Sequence, residues 1–374
     1  MIRKVAIDTG PLKSGHAVRG IGFHTKELLS AIDRVKHEFN SLEIYPVDFS
    51  KSDLTRYDLT HYTSFNPYIL SLPWKKPTKK AILTIHDLIY LVFPKNYPAG
   101  IKGNIKLFIQ KLLLKNIDGI ITISNTSKAD IVRFLGVSPE KIHTIYLAAK
   151  EKFKRTSDIK ILNQVKTKYR LPNKFVLYVG DINYNKNIPT LITACRTAKV
   201  PLVLVGKQAL DVEEGGMSLK DIHGPKDWLR FVFGKPHPEL VHYKFLLEEI
   251  KKSGDVLRLG FVPDDDLSAI FSLATVYCQP SYYEGFGLTL LEAMACGTPV
   301  VASKIRAHTE IAGEAALFAD PDDPSDFAQK IASVFYNPEL RKGLIKKGAA
   351  QVKKYSWEKS ARETLQVYEK VLAT

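Results

Sequence analysis

Short β-branched runs alternate with amphipathic stretches along this chain. "KVAID" (4–8), "AILTIHDL" (81–88) and "GIITIS" (119–124) read as buried strands, and "TKELLSAIDRV" (25–35) and "IKLFIQKLLLK" (105–115) as helices. Apolar strands alternating with helices mark βαβ units around a parallel sheet. The basic segment "AAKEKFKRTSDIK" (148–160) breaks the rhythm, and residues 150–172 read as a linker. The rhythm restarts with "KFVLYVGD" (174–181), "NIPTLITACRTA" (187–198) and "PLVLVGK" (201–207), then continues through "VLRLGFV" (256–262), "TVYCQPS" (275–281) and "TPVVAS" (298–303). The expectation is α/β: two doubly wound domains in tandem, with ligands at the carboxyl ends of the strands. Residues 208–245 exceed an ordinary connection and read as an insertion.

A length of 374 residues supports two cores of this kind. No apolar run approaches the roughly 20 residues that span a bilayer, and "MIRKVAIDTG" reads as a first strand instead of a signal peptide. Three scattered cysteines, Cys195, Cys278 and Cys296, fit a reducing compartment, so the expected location is cytoplasmic. Charge changes the picture further. Residues 1–170 hold 29 Lys and Arg against 14 Asp and Glu, whereas residues 171–374 hold 25 against 25, so the whole excess of +15 lies in the first half. Such asymmetry points that half toward an anionic partner: a membrane surface, a phosphorylated substrate or nucleic acid. Trp74 in "LPWKKPTKK" and the 105–115 helix combine apolar and basic residues as interfacial segments do, although core packing explains that helix equally well. For an anionic membrane such as the inner face of the cell membrane, Lys102, Lys106, Lys111 and Lys115 are the expected contacts.

The chemistry concentrates in "QPSYYEGFGLTLLEAMACGTPVV" (279–301). A strand ends at "QPS", "YYEGFG" turns, and "LTLLEAMACG" forms a helix with Leu288, Leu291 and Ala295 on one face and Gly297 as its stop. Free amides around Gly287 and Leu288 attract phosphate. Glu292, one turn in, suits a vicinal diol such as ribose, and Glu284 a sugar hydroxyl. Together they describe a nucleotide-sugar site; each glutamate alone is equally a surface residue favoured by the helix dipole. "PDDDL" (263–267) reads as helix capping, not a metal site. His223, His237 and His242 lack zinc spacing, and "GIG" (20–22) is only half a dinucleotide fingerprint. No metal and no cofactor beyond the nucleotide sugar is expected.

The stretch "PSYYEGFGLTLLEAMACGTPVVAS" resembles the E-x7-E motif of the retaining glycosyltransferases of family four, whose GT-B fold sets two Rossmann-like domains facing across a cleft. "RGIGFHTKELL" (19–29), "LTIHDL" (83–88), "LYVGDINYNKNIPTLI" (177–192), "LGFVPDDDL" (259–267) and "YSWEKSARETLQVYEKVL" (355–372) resemble family segments in family order. The resemblance implies an acceptor-binding domain over 1–170, a donor-binding domain over 171–354, and a final helix, 355–374, that crosses back to the first. It implies that Glu292 holds the donor ribose, and that Glu284 with the amides of Gly285, Phe286, Gly287 and Leu288 holds sugar and diphosphate. Lys186 would neutralise the leaving diphosphate. His86 and Asp87 of "IHD" would approach the donor sugar. Gly20, in the loop after the first strand, would admit phosphate and acceptor, and Gly260, Phe261 and Val262 would contact the base. Where the family often has an arginine after the "VG" of this strand, Asp181 stands, which leaves Arg306 or Lys304 to supply the second cation.

The implied activity is metal-independent retaining transfer of a hexose, with mannose from GDP favoured and a UDP-sugar as the alternative, onto a glycan or lipid-linked saccharide. A non-catalytic nucleotide-sugar-binding subunit would keep Glu292 without needing His86. A nucleic-acid-binding protein would explain the basic half, yet no aromatic RNA motif or DNA-reading helix is evident.

Overall fold

The computed structural model of the chain describes residues 2–13, 20–211 and 238–374. Two compact units emerge: Met1–Pro94 with Pro98–Ala148 and Tyr355–Thr374, and Lys95–Tyr97 with Ala149–Lys354.

The first unit is built on six parallel strands: β1 (Arg3–Asp8), β2 (Leu42–Val47), β3 (Leu59–Tyr62), β4 (Lys80–Ile85), β5 (Gly119–Thr122) and β6 (Ile142–Thr144). Their spatial order is β2, β1, β3, β4, β5, β6, so the winding reverses between β1 and β3. Every residue of β3 and β5 is buried, as expected of strands covered on both faces. The hydrophobic pattern picks out β1, β4 and β5 but misses the other three. β3 reads "LTHY", and its fully buried Thr60 and His61 disguise it. β2 contains Pro46, which an edge strand tolerates, and β6 has three residues.

The helix Trp357–Ala373 belongs to this unit and lies along the helix Gly20–Val35. Arg34 pairs with Glu358 and Arg362 with Glu38, while Tyr368 Oη lies 2.6 Å from Nδ1 of His61.

The second unit repeats the plan with β7 (Val176–Val179), β8 (Leu202–Val205), β9 (Val256–Leu259), β10 (Val276–Gln279), β11 (Val300–Ser303) and β12 (Ala316–Ala319), in the order β12, β11, β10, β7, β8, β9. Here the winding reverses between β7 and β10. The helices Ile188–Ala198 and Pro324–Tyr336 cover one face, joining Ile188, Leu191, Phe327 and Ile331 to Val176 and Cys278 in one core. At the ends of β7 and β8 the backbones nearly touch: a Cβ on Gly206 would stand 2.2 Å from the carbonyl oxygen of Gly180.

Two expectations change, and a third lies largely outside the described residues. The segment read as a linker holds a helix, Ile159–Lys168, capped by Asp158 and packed on the helix Asp264–Leu273. "PDDDL" does not cap that second helix. Pro263 takes the N-cap position without a side-chain bond, and the three aspartates fall in the first turn, paired with Lys150, Lys152 and Lys168. Of the 208–245 segment, Gln208–Asp211 and the helix Pro238–Lys252 are described, and 212–237, with His223 and His237, lies outside the described residues. His242 hydrogen-bonds the carbonyl of Ile182 and packs edge-on against Tyr184.

Candidate active site

The point where an open sheet reverses its winding is where its strand ends part into a crevice. In the second unit the segments after β7 and β10 flank that point, and they carry Lys186 and Glu284. The turn Tyr184–Lys186 is stitched to the β10 loop: Tyr282 N–H donates to the carbonyl of Asn185 at 2.8 Å, and Asn187 Nδ2 donates to the carbonyls of Pro280 and Pro321. Tyr184 and Tyr282 stack at 5.5 Å. Lys186 Nζ consequently meets both carboxylate oxygens of Glu284, at 2.8 and 2.9 Å.

Glu284 is held from the other side as well. Its Oε1 also accepts from Gln279 Nε2 and Ser281 Oγ, each at 2.7 Å. The amide oxygen of Gln279 in turn accepts from Tyr277 and Thr289. Burial works to raise the Glu284 pKa, but Lys186 and these hydrogen bonds outweigh it and hold the carboxyl below its ordinary range. The carboxylate is therefore ionised and fixed. Oε1 is saturated with three donors, whereas Oε2 takes only the lysine among the described residues, leaving acceptor capacity there.

Gly285 to Leu288 follow directly. Gly287 caps the helix Leu288–Ala295 in the left-handed region at φ 102°, and a Cβ there would press on Leu290 and His308, so glycine fits this start. Leu290 N–H bonds back to the Gly287 carbonyl at 3.0 Å, whereas the amides of Leu288 and Thr289 have no preceding turn to bond. This helix is buried over more than one face: Leu290, Leu291, Glu292, Ala293 and Met294 are all buried, while Leu288 and Ala295 are partly exposed. Glu292 sits one turn in, and burial, partly offset by Lys150, pushes its pKa up to about 8. His308 packs against the same start. Its Nδ1 faces the Ser303 carbonyl at 3.1 Å, and burial lowers its pKa to about 4. A carbonyl can only accept, so Nδ1 carries the proton.

The remaining expected residues lie elsewhere in this unit or in the other. Gly260 to Val262 follow β9 at the edge of the same sheet, with Phe261 exposed and Val262 buried. Asp181 follows Gly180; its carbonyl accepts the Tyr178 hydroxyl, and no described residue pairs with its carboxylate. Lys304 and Arg306 are exposed beyond β11 and have no described acidic partner. In the first unit His86 and Asp87 follow β4, and Asp87 accepts the amide of Ile89. Gly20 is not in a loop: it is the first residue of the helix Gly20–Val35, and a Cβ there would meet nothing within 4 Å. One turn along that helix, His24 Nδ1 lies 2.7 Å from His86 Nε2, and burial first, then His86 and His61, pushes the His24 pKa well below its usual value. Gln279, Ser281, His308 and His24 were not singled out from the sequence.

Among the described residues no group of three or more His, Cys, Asp or Glu could hold a metal ion, and no helix is long and apolar enough to cross a membrane.

Comparison with known proteins agrees with this architecture. Residues 160–351 match the family described as glycosyl transferases group 1, and residues 48–149 match Glycosyltransferase Family 4. The chain is 30% identical over 294 residues to the O-antigen chain mannosyltransferase B of Escherichia coli, covering 78% of this chain and 70% of that protein. It is 26% identical over 329 residues to the serotype-specific mannosyltransferase WbdA of Escherichia coli, covering 84% of this chain but only 37% of that relative. Among solved structures, sucrose-phosphate synthase from Thermosynechococcus elongatus superposes with a TM-score of 0.67 over 99% of both chains at 21% identity. Anabaena HepE in complex with UDP and glucose superposes at 0.66 over 100% of both at 15% identity. The structures speak for the fold and the sequence relatives for the family: the chain is a member of glycosyltransferase family four, with the GT-B fold.

Proposed function

We propose that this glycosyltransferase moves a hexose from a nucleoside diphosphate sugar to a hydroxyl of a glycan or lipid-linked saccharide, with retention at the anomeric carbon and without a metal ion. Mannose is the favoured sugar, since the relatives quoted above are mannosyltransferases. GDP is the favoured nucleotide and UDP the alternative.

The observation that carries this reading is the Lys186–Glu284 pair beside the glycine-capped start of the Leu288–Ala295 helix. An ammonium has three N–H donors, and Glu284 takes two. The third serves a phosphate oxygen, joined by the first-turn amides. Oε2 of Glu284 accepts a sugar hydroxyl, Glu292 the ribose diol, and Gly260 to Val262 contact the base. The family resemblance assigns His86 and Asp87 to the donor sugar, and Gly20 to phosphate and acceptor. In the reaction the bond from C1 to the diphosphate oxygen breaks as the acceptor oxygen bonds C1 from the same face, and the acceptor's proton passes to the departing phosphate. Charge grows on the diphosphate in that step, so fixed cations and amides stabilise the transition state more than the bound donor.

Thermal-shift screening against GDP-, UDP- and ADP-sugars tests the donor, since a ligand at about 100 times its Kd adds about 2.7 kcal/mol. NMR of the product then tests stereochemistry. A product of inverted configuration, or activity lost in EDTA and restored by Mn²⁺, overturns the mechanism.

A further inference from the structure

The helix Gly100–Leu113 in the first unit is held by one face only. Gly103, Gln110 and Leu113 are buried, and Gly103 lies against the ring of Tyr68. Gln110 uses both ends of its amide: Nε2 donates to the carbonyls of Asn66 and Ile69 at 2.7 Å, and Oε1 accepts from the amides of Ser71 and Leu72 at 3.3 Å.

The opposite face is apolar and open. Ile101, Ile105, Phe108 and Leu112 are 67%, 54%, 63% and 46% exposed. At about 3.6 residues per turn these four positions fall within roughly 60° of arc, a single stripe. The Gln110 clamp also fixes the neighbouring loop that carries exposed Ile69 and Leu70, and Asn116 Nδ2 donates to the carbonyl of Trp74, itself 69% exposed. Single exposed apolar residues need no explanation; a rigid stripe of four with an apolar loop tied beside it does.

Charge narrows the choice of partner. Residues 64–80 and 98–117 together contain eight lysines and no aspartate or glutamate. Lys102 and Lys111 flank the stripe on opposite sides by helical geometry. We propose that this face docks on an anionic lipid bilayer, with the stripe at the boundary between headgroups and acyl chains and the lysines on headgroup phosphates. Lys76 is held by Asp118 at 2.8 Å, which leaves seven of these lysines for a partner. A second copy of the chain is a poorer fit, because a two-fold axis would press this lysine-rich surface against itself.

The full chain is sedimented with vesicles of phosphatidylglycerol and phosphatidylcholine in equal parts, and with pure phosphatidylcholine. Binding is expected only with the first, part of it surviving high salt, with a blue shift of tryptophan emission that Trp74→Phe removes. The double variant I105Q/F108Q, both positions being exposed, should bind these vesicles at least about tenfold more weakly at an unchanged melting temperature. A parent that stays in the supernatant overturns the proposal, as does a double variant that sediments as well as the parent. A concentration-dependent dimer in sedimentation velocity that the double variant loses would assign the stripe to a second copy instead. None of these readouts depends on transferase activity, so they stand apart from the proposed reaction.

Discussion

Lys186 and Glu284, 98 positions apart in sequence, form a two-pronged ion pair at the point where the second sheet reverses its winding. The lysine side chain is only 21% exposed and the glutamate 12%, so removing one partner strands the other. Lys186→Met should cost about 2–3 kcal/mol at neutral pH, the mild end of breaking a buried pair. The contribution of Glu284, whose folded pKa is held below 4.5, is present above that value and lost as pH falls through the lowered one. The deficit in melting temperature should therefore shrink in acid, and Glu284→Gln in the same chain should restore part of it. Turnover should fall by about a hundredfold, roughly 2.7 kcal/mol of transition-state stabilisation. Near-parental turnover would place the cationic role on Lys304 or Arg306.

What was legible in the sequence follows what periodicity and charge can encode. The E-x7-E stretch showed itself because a glycine turn, an apolar helix and two carboxylates stand together in 23 residues. Gln279 and Ser281 lie in the same stretch, but a neutral amide and a hydroxyl carry no signal until the fold brings Glu284 to them. The partners of His61 are Thr84 and Tyr368, 23 and 307 positions away, so "LTHY" could not read as a buried strand. The helix at 105–115 was legible as amphipathic, yet only burial shows that its apolar stripe faces outward.

Glu292 makes a pH prediction of opposite sign to Glu284. Burial raises its pKa from 4.5 to about 8, so the folded chain binds more protons than the unfolded chain between those values. Its favourable contribution is complete below pH 4.5 and is lost as pH rises through about 8, with a limiting slope of about 1.4 kcal/mol per pH unit. Glu292→Gln should flatten that decline in denaturant titrations from pH 5 to 8. If the carboxylate form clamps the ribose, nucleotide binding at pH 7 should also release close to one proton, measurable by calorimetry in buffers of different ionisation enthalpy. Equal slopes in parent and variant would contradict the buried, protonated state.

The buried histidines set the acid limit. Burial lowers the His61 pKa from 6.5 to about 3, and both ring nitrogens are engaged, by Tyr368 and Thr84. The folded chain therefore binds fewer protons than the unfolded chain below pH 6.5, so stability is full above that pH and falls as pH drops toward about 3. His61→Gln should reduce this acid sensitivity while lowering stability at pH 7 by about 1–3 kcal/mol, the cost of imperfectly replaced buried bonds. An unchanged acid midpoint would remove His61 from the account.

Gly206 and Gly343 stand in opposite surroundings, one crowded by main chain and one open. A Cβ on Gly206 would stand 2.2 Å from the backbone oxygen of Gly180, an approach no rotamer can relieve because the obstacle is main chain. Gly206→Ala must move the end of β7 or β8, and the β7 end leads into the loop that presents Lys186. Overpacking of this kind should cost about 3 kcal/mol, and turnover should fall even where the variant remains folded. Gly343 lies inside the helix Pro338–Val352 with nothing within 4 Å of an added Cβ. Gly343→Ala should instead stabilise by about 0.5–1 kcal/mol through helix propensity and leave turnover unchanged. Equal melting temperatures for the two variants would show that β7 and β8 do not approach as closely as 2.2 Å implies.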